Sequence, residues 1–285
     1  MNWQRGLINS SLMVQNRSNH KPQLNYVDRG SGQPVILIHG IAASLNDWQF
    51  LMPELTASGF RAFALDLLGH GDSPKPPDPE AYQFDSIFRN LAAWMAGLEL
   101  DQPAVLVGHS LGGYFSLQYA LNYPEKVRAL ILVDPYYHPS QLSPFLRAIN
   151  GKPGWAHKVM GWIPHWLVKT FMTSELRPMN EYAPQVRQQM AEDYRKVSPH
   201  VIHITHTIRD LNSELGRIEH PALVIWGDHD ITLDPSSFPE LVRRLPNAEG
   251  YEVSCGHQPH LAKPDVFNAV VLDFLGGLDF QHEGH

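Results

Sequence analysis

Val105-Leu106-Val107-Gly108-His109-Ser110-Leu111-Gly112-Gly113 is the stretch on which the reading of this 285-residue chain turns. A short apolar run feeds straight into Gly-x-Ser-x-Gly, and Tyr114 to Leu121 continues as a helix-forming segment. A strand, a tight turn and a helix in that order hold a serine hydroxyl above the end of a sheet. The turn strains the serine backbone, so the positions two before and two after it must be tiny, as Gly108 and Gly112 are. The hydroxyl of Ser110 then stands at a helix N-terminus, where backbone N–H groups meet developing negative charge. Gly-x-Ser-x-Gly also arises by chance in loops; the strand before it, the helix after it and matching partners elsewhere argue otherwise.

Upstream, Leu24 to Asp28 reads as a strand and Arg29-Gly30-Ser31-Gly32 as its turn. Val35-Ile36-Leu37-Ile38 is an unbroken apolar run of the kind buried on both faces of a parallel sheet, and it ends in His39-Gly40-Ile41. Asp47 to Leu55 reads as a helix, Arg61 to Asp66 as a strand, Leu67 to Ser73 as a glycine-punctuated loop and Ser86 to Leu98 as an amphipathic helix. Downstream come strands at Val127 to Val133, Pro221 to Trp226 and Ala248 to Val253, with helices at Ser237 to Leu245 and Pro264 to Leu275. This alternation predicts an α/β, doubly wound, mostly parallel sheet with reactive groups at the carboxyl ends of its strands.

Between Tyr136 and Leu215 the rhythm changes to short apolar helices, prolines and three tryptophans, Trp155, Trp162 and Trp166. Residues 136–215 are therefore expected to form an inserted helical cap over a core domain made of 1–135 and 216–285. Those tryptophans are expected to pack inward, because cap helices must bury something against the core. Residues 1 to about 20 read as a polar arm, and a loose tail follows the last helix.

The net charge of −7 is spread without long like-charge blocks, which leaves no electrostatic footprint for nucleic acid and disfavours a polyanionic substrate. A single cysteine, Cys255, excludes an internal disulfide. Asn9, Ser10 and Ser11 break the N-terminal apolar stretch, and no segment approaches membrane-spanning length. The expectation is a soluble cytoplasmic protein, with transient contact to a membrane surface left open. No phosphate-cradling glycine loop is present, so no cofactor is called for. His200, His203 and His206 invite a metal reading; on an α-helix their spacing puts the outer pair off a common face, and no carboxylate joins them.

A serine hydroxyl needs a base within hydrogen-bond reach, itself oriented by a buried acid. His257 and Asp230 lie at strand ends in the order Ser, Asp, His that suits this turn. Asp228 and Asp134 are rival acids and His260 a rival base, with Gly256 beside His257 expected to lend backbone freedom. The backbone N–H groups of Ile41 and Leu111 are the expected oxyanion donors. His39, His70 and His109 read as structural or cleft-lining, and Cys255 as a buried thiol near the base.

Together, His39-Gly40, Asp66 with Gly69-His70-Gly71-x-Ser73, the Ser110 turn, Trp226-Gly227-x-x-Asp230 with Pro235, and Gly256-His257 with Pro259-His260 resemble the α/β-hydrolase-fold enzymes with a helical cap. The motifs run from about residue 25 to 275. The resemblance implies Asp230 over Asp228 as the acid, with Asp134 where some relatives keep theirs. Ala262 departs from the His-x-Glu-x-Pro pattern of relatives, a peripheral difference. Serine at the turn disfavours the dehalogenase and epoxide-hydrolase chemistries, which need a carboxylate nucleophile. The expected activity is hydrolysis of a medium-to-long apolar carboxylic ester, lipase-like or of an isoprenoid alcohol, through an acyl-enzyme. The alternatives are carbon–carbon or thioester cleavage by the same three residues, and a non-catalytic receptor for a small apolar ligand.

Overall fold

A computed structural model describes residues 24–143, 146–147, 165–174, 176 and 178–278. Its strands are β1 (Tyr26–Gly30), β2 (Gln33–Ile38), β3 (Phe60–Leu65), β4 (Ala104–His109), β5 (Val127–Val133), β6 (Ala222–Gly227) and β7 (Ala248–Val253). They form one sheet in the order β1-β3-β2-β4-β5-β6-β7, with β1 antiparallel to β3 and every other pair parallel. From β2 the chain winds outward to β3 and then returns to the other side of β2 to enter β4. That reversal opens a crevice at the carboxyl ends of β2 and β4, the place where open α/β sheets bind ligands.

The apolar runs alternate their side chains between two buried layers. Ile36, Ile38, Leu106, Leu130, Leu132 and Val224 meet helices α2 (Phe84–Gly97) and α3 (Leu111–Asn122) on one face. Val35, Leu37, Val105, Val107, Ile131, Val133 and Ile225 meet α1 (Leu51–Ala57) and the C-terminal helix Pro264–Gly277 on the other. With both faces covered, the strands read as continuous apolar runs and not as alternating ones.

Two elements differ from the sequence expectation. The helix expected from Asp47 to Leu55 is a 3-10 turn, Leu45–Trp48, followed by α1. Pro53 explains the break: it has no N–H to give to a carbonyl four residues back, so it is accommodated only in the first turn of a helix that starts later. The first strand is Tyr26–Gly30, shifted because its register pairs Tyr26 with Leu65 and Gly30 with Arg61.

Between β5 and β6 the described residues hold helices and no strand, chiefly His165–Met172, Pro184–Lys196 and the 3-10 helix Pro199–His206. Trp166 is 68% exposed, contrary to the expectation of inward packing; it shares an exposed apolar face with Leu167 and Phe171. Trp155, Trp162, the N-terminal arm and the tail from 279 lie outside the described residues. Val201, Ile204, Ile208, Leu211 and Leu215 belong to the same apolar cluster as the α2/α3 face of the sheet. The C-terminal part of the insertion thus packs as main core.

Because Pro199–His206 is a 3-10 helix, residues three apart fall in line, and the His200 and His203 rings stack at 6.0 Å. The α-helical geometry expected there does not apply. His206 is exposed, and none of the three joins a group of metal-capable side chains among the described residues. No helix among those residues is long and apolar enough to cross a membrane.

Candidate active site

Ser110 sits between β4 and α3 at φ 51°, ψ −112°, a conformation that L-residues avoid. The surroundings leave it no alternative. Its N–H donates to the Val133 carbonyl at 2.9 Å, and its own carbonyl accepts from Tyr136 N–H at 3.0 Å and Tyr114 N–H at 3.2 Å. A Cβ on Gly112 would stand 2.0 Å from the Ile38 carbonyl oxygen, and one on Gly108 2.4 Å from that of Gly112. Gly40 closes on the same turn, since a Cβ there would lie 3.3 Å from Ser110 Cβ. Its φ is not positive, so glycine serves close approach at this position and not conformational freedom.

The loop after β2 is pinned. His39 Nδ1–H donates to the Gly40 carbonyl at 2.7 Å, which leaves Nε2 to accept from Leu67 N–H at 3.0 Å. That is the structural role expected of His39. Asp66 gathers Leu45 N–H, Asn25 Nδ2 and Asp72 N–H, which makes the Asp66-to-Ser73 motif a brace for the same loop. Ile41 follows Gly40, and Ala42 turns the chain at φ 61°. Among the described residues neither the Ile41 nor the Leu111 amide is committed to a hydrogen bond, so both candidate oxyanion donors are unspent.

Asp230 and His257 come together from the loops after β6 and β7, with His257 Nδ1–H donating to Asp230 Oδ2 at 2.6 Å. The second Asp230 oxygen accepts from Thr232 N–H at 2.7 Å and Leu233 N–H at 3.1 Å. Burial opposes the charged carboxylate, but the His257 imidazole and these two amides outweigh it and hold Asp230 below the usual carboxylate range. With Nδ1 occupied, Nε2 of the partly exposed His257 is the atom free to take a proton. Ser110 Oγ and His257 are not hydrogen-bonded in this structure. The turn that carries Ser110, an elbow between β4 and α3, reaches that loop through His109, whose Nε2–H donates to the His257 carbonyl at 2.9 Å and whose ring lies 4.9 Å from the His257 ring. In ligand-free enzymes such links are often long and tighten only around substrate.

The rivals take other places. Asp228 Oδ1 accepts from Cys255 N–H at 3.1 Å and so braces the His257 loop. Asp134 is completely buried, with Oδ1 accepting from Gly227 N–H at 2.9 Å, and it offers an oxygen within 4.8 Å of Asp230 and His257. Burial first, and the neighbouring Asp230 charge second, push its carboxyl well above the usual carboxylate range. His260 is buried and stacked on Trp48 with ring centroids 5.0 Å apart. Cys255 is buried, and burial with nearby Asp134 pushes its thiol up, which makes it inert and not a reactive group beside the base.

Gly256 is not at positive φ; a Cβ there would meet Glu181 Oε1 at 2.6 Å. The backbone freedom expected of it is replaced by a need for space.

Two neighbours of the site escaped the sequence reading. Asp47 lies 3.6 Å from His109 Nδ1 and 3.9 Å from His260 Nε2, too far for hydrogen bonds. Opposing burial, these imidazoles hold Asp47 below its usual range, and the trio backs the elbow from inside. Asp47, His109 and His260 also form a set with metal-capable atoms, although His109 is already engaged with the His257 loop. Glu181 is the other, and it sits in no pattern that sequence alone distinguishes.

The buried imidazoles give a pH dependence. Burial, then His39, pushes His70 down to about 3, and burial, against Asp47, pushes His109 down to about 4. Unfolded, both protonate near the ordinary histidine value of ~6.5. Below that value the unfolded chain binds more protons than the folded one, so stability falls as pH falls. His109 alone removes roughly 3 kcal/mol by pH 4. The lowered Asp47 and Asp230 lose their contributions in the same direction at still lower pH. Calorimetry is expected to show Tm dropping steadily from pH 6.5 to 4; a level Tm across that range contradicts the assignment.

The sequence profile of the α/β hydrolase fold family matches residues 33–264. The chain is 25% identical over 296 aligned residues to bifunctional epoxide hydrolase 2 of Sus scrofa, covering 89% of this chain and 53% of that protein. It spans about half the length of that relative. It is 27% identical to 2-hydroxy-6-oxo-2,4-heptadienoate hydrolase of Pseudomonas putida, over 90% of this chain and 94% of that one. Among solved structures, a thermophilic esterase from Thermogutta terrifontis superimposes with a TM-score of 0.77 at 23% identity, covering 90% of this chain and 93% of the other. That likeness speaks for the fold.

Proposed function

Because the chain belongs to the α/β hydrolase fold family and presents a serine at its strained turn, we propose that it hydrolyses carboxylic esters through an acyl-enzyme. The observation that carries this reading is the pairing of that serine turn with an Asp230–His257 couple whose outer nitrogen is free. Ser110 Oγ attacks the acyl carbon while its proton passes to His257 Nε2, and Asp230 steadies the imidazolium that results. The Ile41 and Leu111 amides hold the oxyanion. His257 returns the proton to the departing alcohol, then takes one from water as it attacks the acyl-enzyme, and passes it to Ser110 Oγ as the bond from Oγ to the acyl carbon breaks and the carboxylic acid leaves. A carboxylate nucleophile, which epoxide opening through an alkyl ester requires, is missing from position 110.

For the substrate, an ester with a medium-to-long apolar group fits best. Support comes from the exposed Trp166, Leu167 and Phe171 on the insertion between β5 and β6, an apolar face suited to substrates drawn from an apolar phase. A second reading, cleavage of a carbon–carbon bond beside a ketone, is favoured by the near end-to-end match to the heptadienoate hydrolase. A series of p-nitrophenyl esters from acetyl to decanoyl is expected to show kcat/KM rising with acyl length. No turnover at any length, alongside consumption of a 2-hydroxy-6-oxo-dienoate, would replace the ester reading with the second one.

A further inference from the structure

We propose that Glu181, carried on the insertion between β5 and β6, is a positioning residue for the base. Its carboxylate Oε2 accepts from the Gly256 N–H at 2.9 Å, bridging 75 positions of sequence to the residue next to His257. The inference deepens the hydrolase reading above and rests on it.

The loop that presents His257, residues 254–258, has no regular secondary structure to hold it. It is fixed by anchors from other elements. Asp228 takes the Cys255 N–H, His109 donates to the His257 carbonyl, and the Cys255 carbonyl accepts from His229 N–H at 3.0 Å. Those three come from strand ends of the sheet. Glu181 is the anchor that comes from the insertion, and it holds the N–H of the residue next to His257.

The site is shaped for this contact. Gly256 is buried, so without the carboxylate its N–H would be a buried donor lacking an acceptor, which costs about 1–3 kcal/mol. Any side chain at 256 would collide with Glu181, because even a Cβ would stand 2.6 Å from Oε1. A side chain at 256 can therefore be accommodated only if the Glu181 carboxylate moves off the Gly256 N–H. On either side of Glu181, Met179 and Tyr182 pack with Val186 against Leu261, in the short helix that follows His257. The insertion thus grips the loop at Gly256 and again just beyond it.

The charge of Glu181 also enters a crowded set. Asp134, Asp228, Asp230, Cys255, His257 and Tyr182 are the titratable groups of the adjoining loops and the insertion itself, and Glu181 acts on Asp134, Cys255 and Tyr182.

The test compares Glu181→Ala, which removes the acceptor, with Glu181→Gln, whose amide oxygen still accepts from Gly256. The readouts are the rate of fluorophosphonate labelling at Ser110, kcat and KM on a p-nitrophenyl ester, and Tm. Glu181→Ala is expected to lower kcat and the labelling rate about 10- to 100-fold with KM within about twofold, the scale of a misplaced reacting group. Glu181→Gln is expected to restore both rates to within about threefold, since the acceptor is kept. Should Glu181→Ala fail to fold, Gly256→Ala, which forces the carboxylate aside, is expected to give the same split between kcat and KM. Wild-type rates in a folded Glu181→Ala, or equal losses in the Ala and Gln variants, overturn the inference while the labelled wild type leaves the hydrolase reading intact. A wild type that takes no label at Ser110 overturns both.

Discussion

Ser110→Ala is expected to lower turnover by about 10⁴- to 10⁶-fold, the loss seen when the nucleophile of a cooperating set is removed. The fold is expected to survive, because what fixes the turn is backbone. The Ser110 N–H and carbonyl bonds to Val133, Tyr136 and Tyr114 do not involve the hydroxyl. The close approach of Gly108, Gly112 and Gly40 does not involve it either. A fluorophosphonate is expected to label the wild type at Ser110 and leave the variant unlabelled, with circular dichroism and Tm unchanged. Retained turnover in a folded Ser110→Ala protein would remove serine chemistry from this site altogether.

The second large effect separates two carboxyls that lie side by side. Asp230→Asn is expected to cost about 10³- to 10⁴-fold in kcat, because the amide presents a donor to His257 Nδ1 and drives the proton onto Nε2, where a base needs a lone pair. Asp134→Asn is expected to keep kcat within about threefold of wild type, since the amide keeps the contact that the carboxyl makes. Its oxygen can still accept from Gly227 N–H. Stability should respond in the opposite sense. Asp134 has a folded value raised above its unfolded one, so its contribution is present at low pH and is lost as pH rises. The Asn variant escapes that decline, so its Tm relative to wild type is expected to rise as pH climbs above the ordinary carboxylate value of about 4. If Asp134→Asn proves as damaging as Asp230→Asn, the acid belongs to the loop after β5.

Most of the architecture is legible from residues alone because the central strands of a sheet covered on both faces must be apolar along most of their length. Val35 to Ile38, Val105 to Val107 and Val127 to Val133 leave little freedom of assignment. Local chemistry that depends on one residue was harder. Pro53 splits the segment from Leu45 to Ala57, and reading the apolar spacing there without weighing the missing N–H produced one helix where there are two. At the site, Ser110, Asp230 and His257 stood out because glycines and strand ends flank them. Glu181 and Asp47 carry no such flanks. Each reaches the site through tertiary contacts, Glu181 from 75 positions before Gly256, which no local pattern reports. Gly256 and Gly40 show a subtler limit, since a glycine required for room and one required for an unusual φ look identical in sequence.

Residues 199–215 lie with the insertion along the chain but with the main core in packing. Anyone grafting the corresponding segment of a relative onto this scaffold should not place the second junction at 215. Doing so would strip Val201, Ile204, Ile208, Leu211 and Leu215 from beneath the sheet, at about 2–5 kcal/mol for each large side chain not replaced. Ser198, whose N–H donates to the Gly69 carbonyl at 2.8 Å, marks a better seam. A chimera cut there exchanges the part of the insertion before residue 198 and leaves the part that packs with the main core in place.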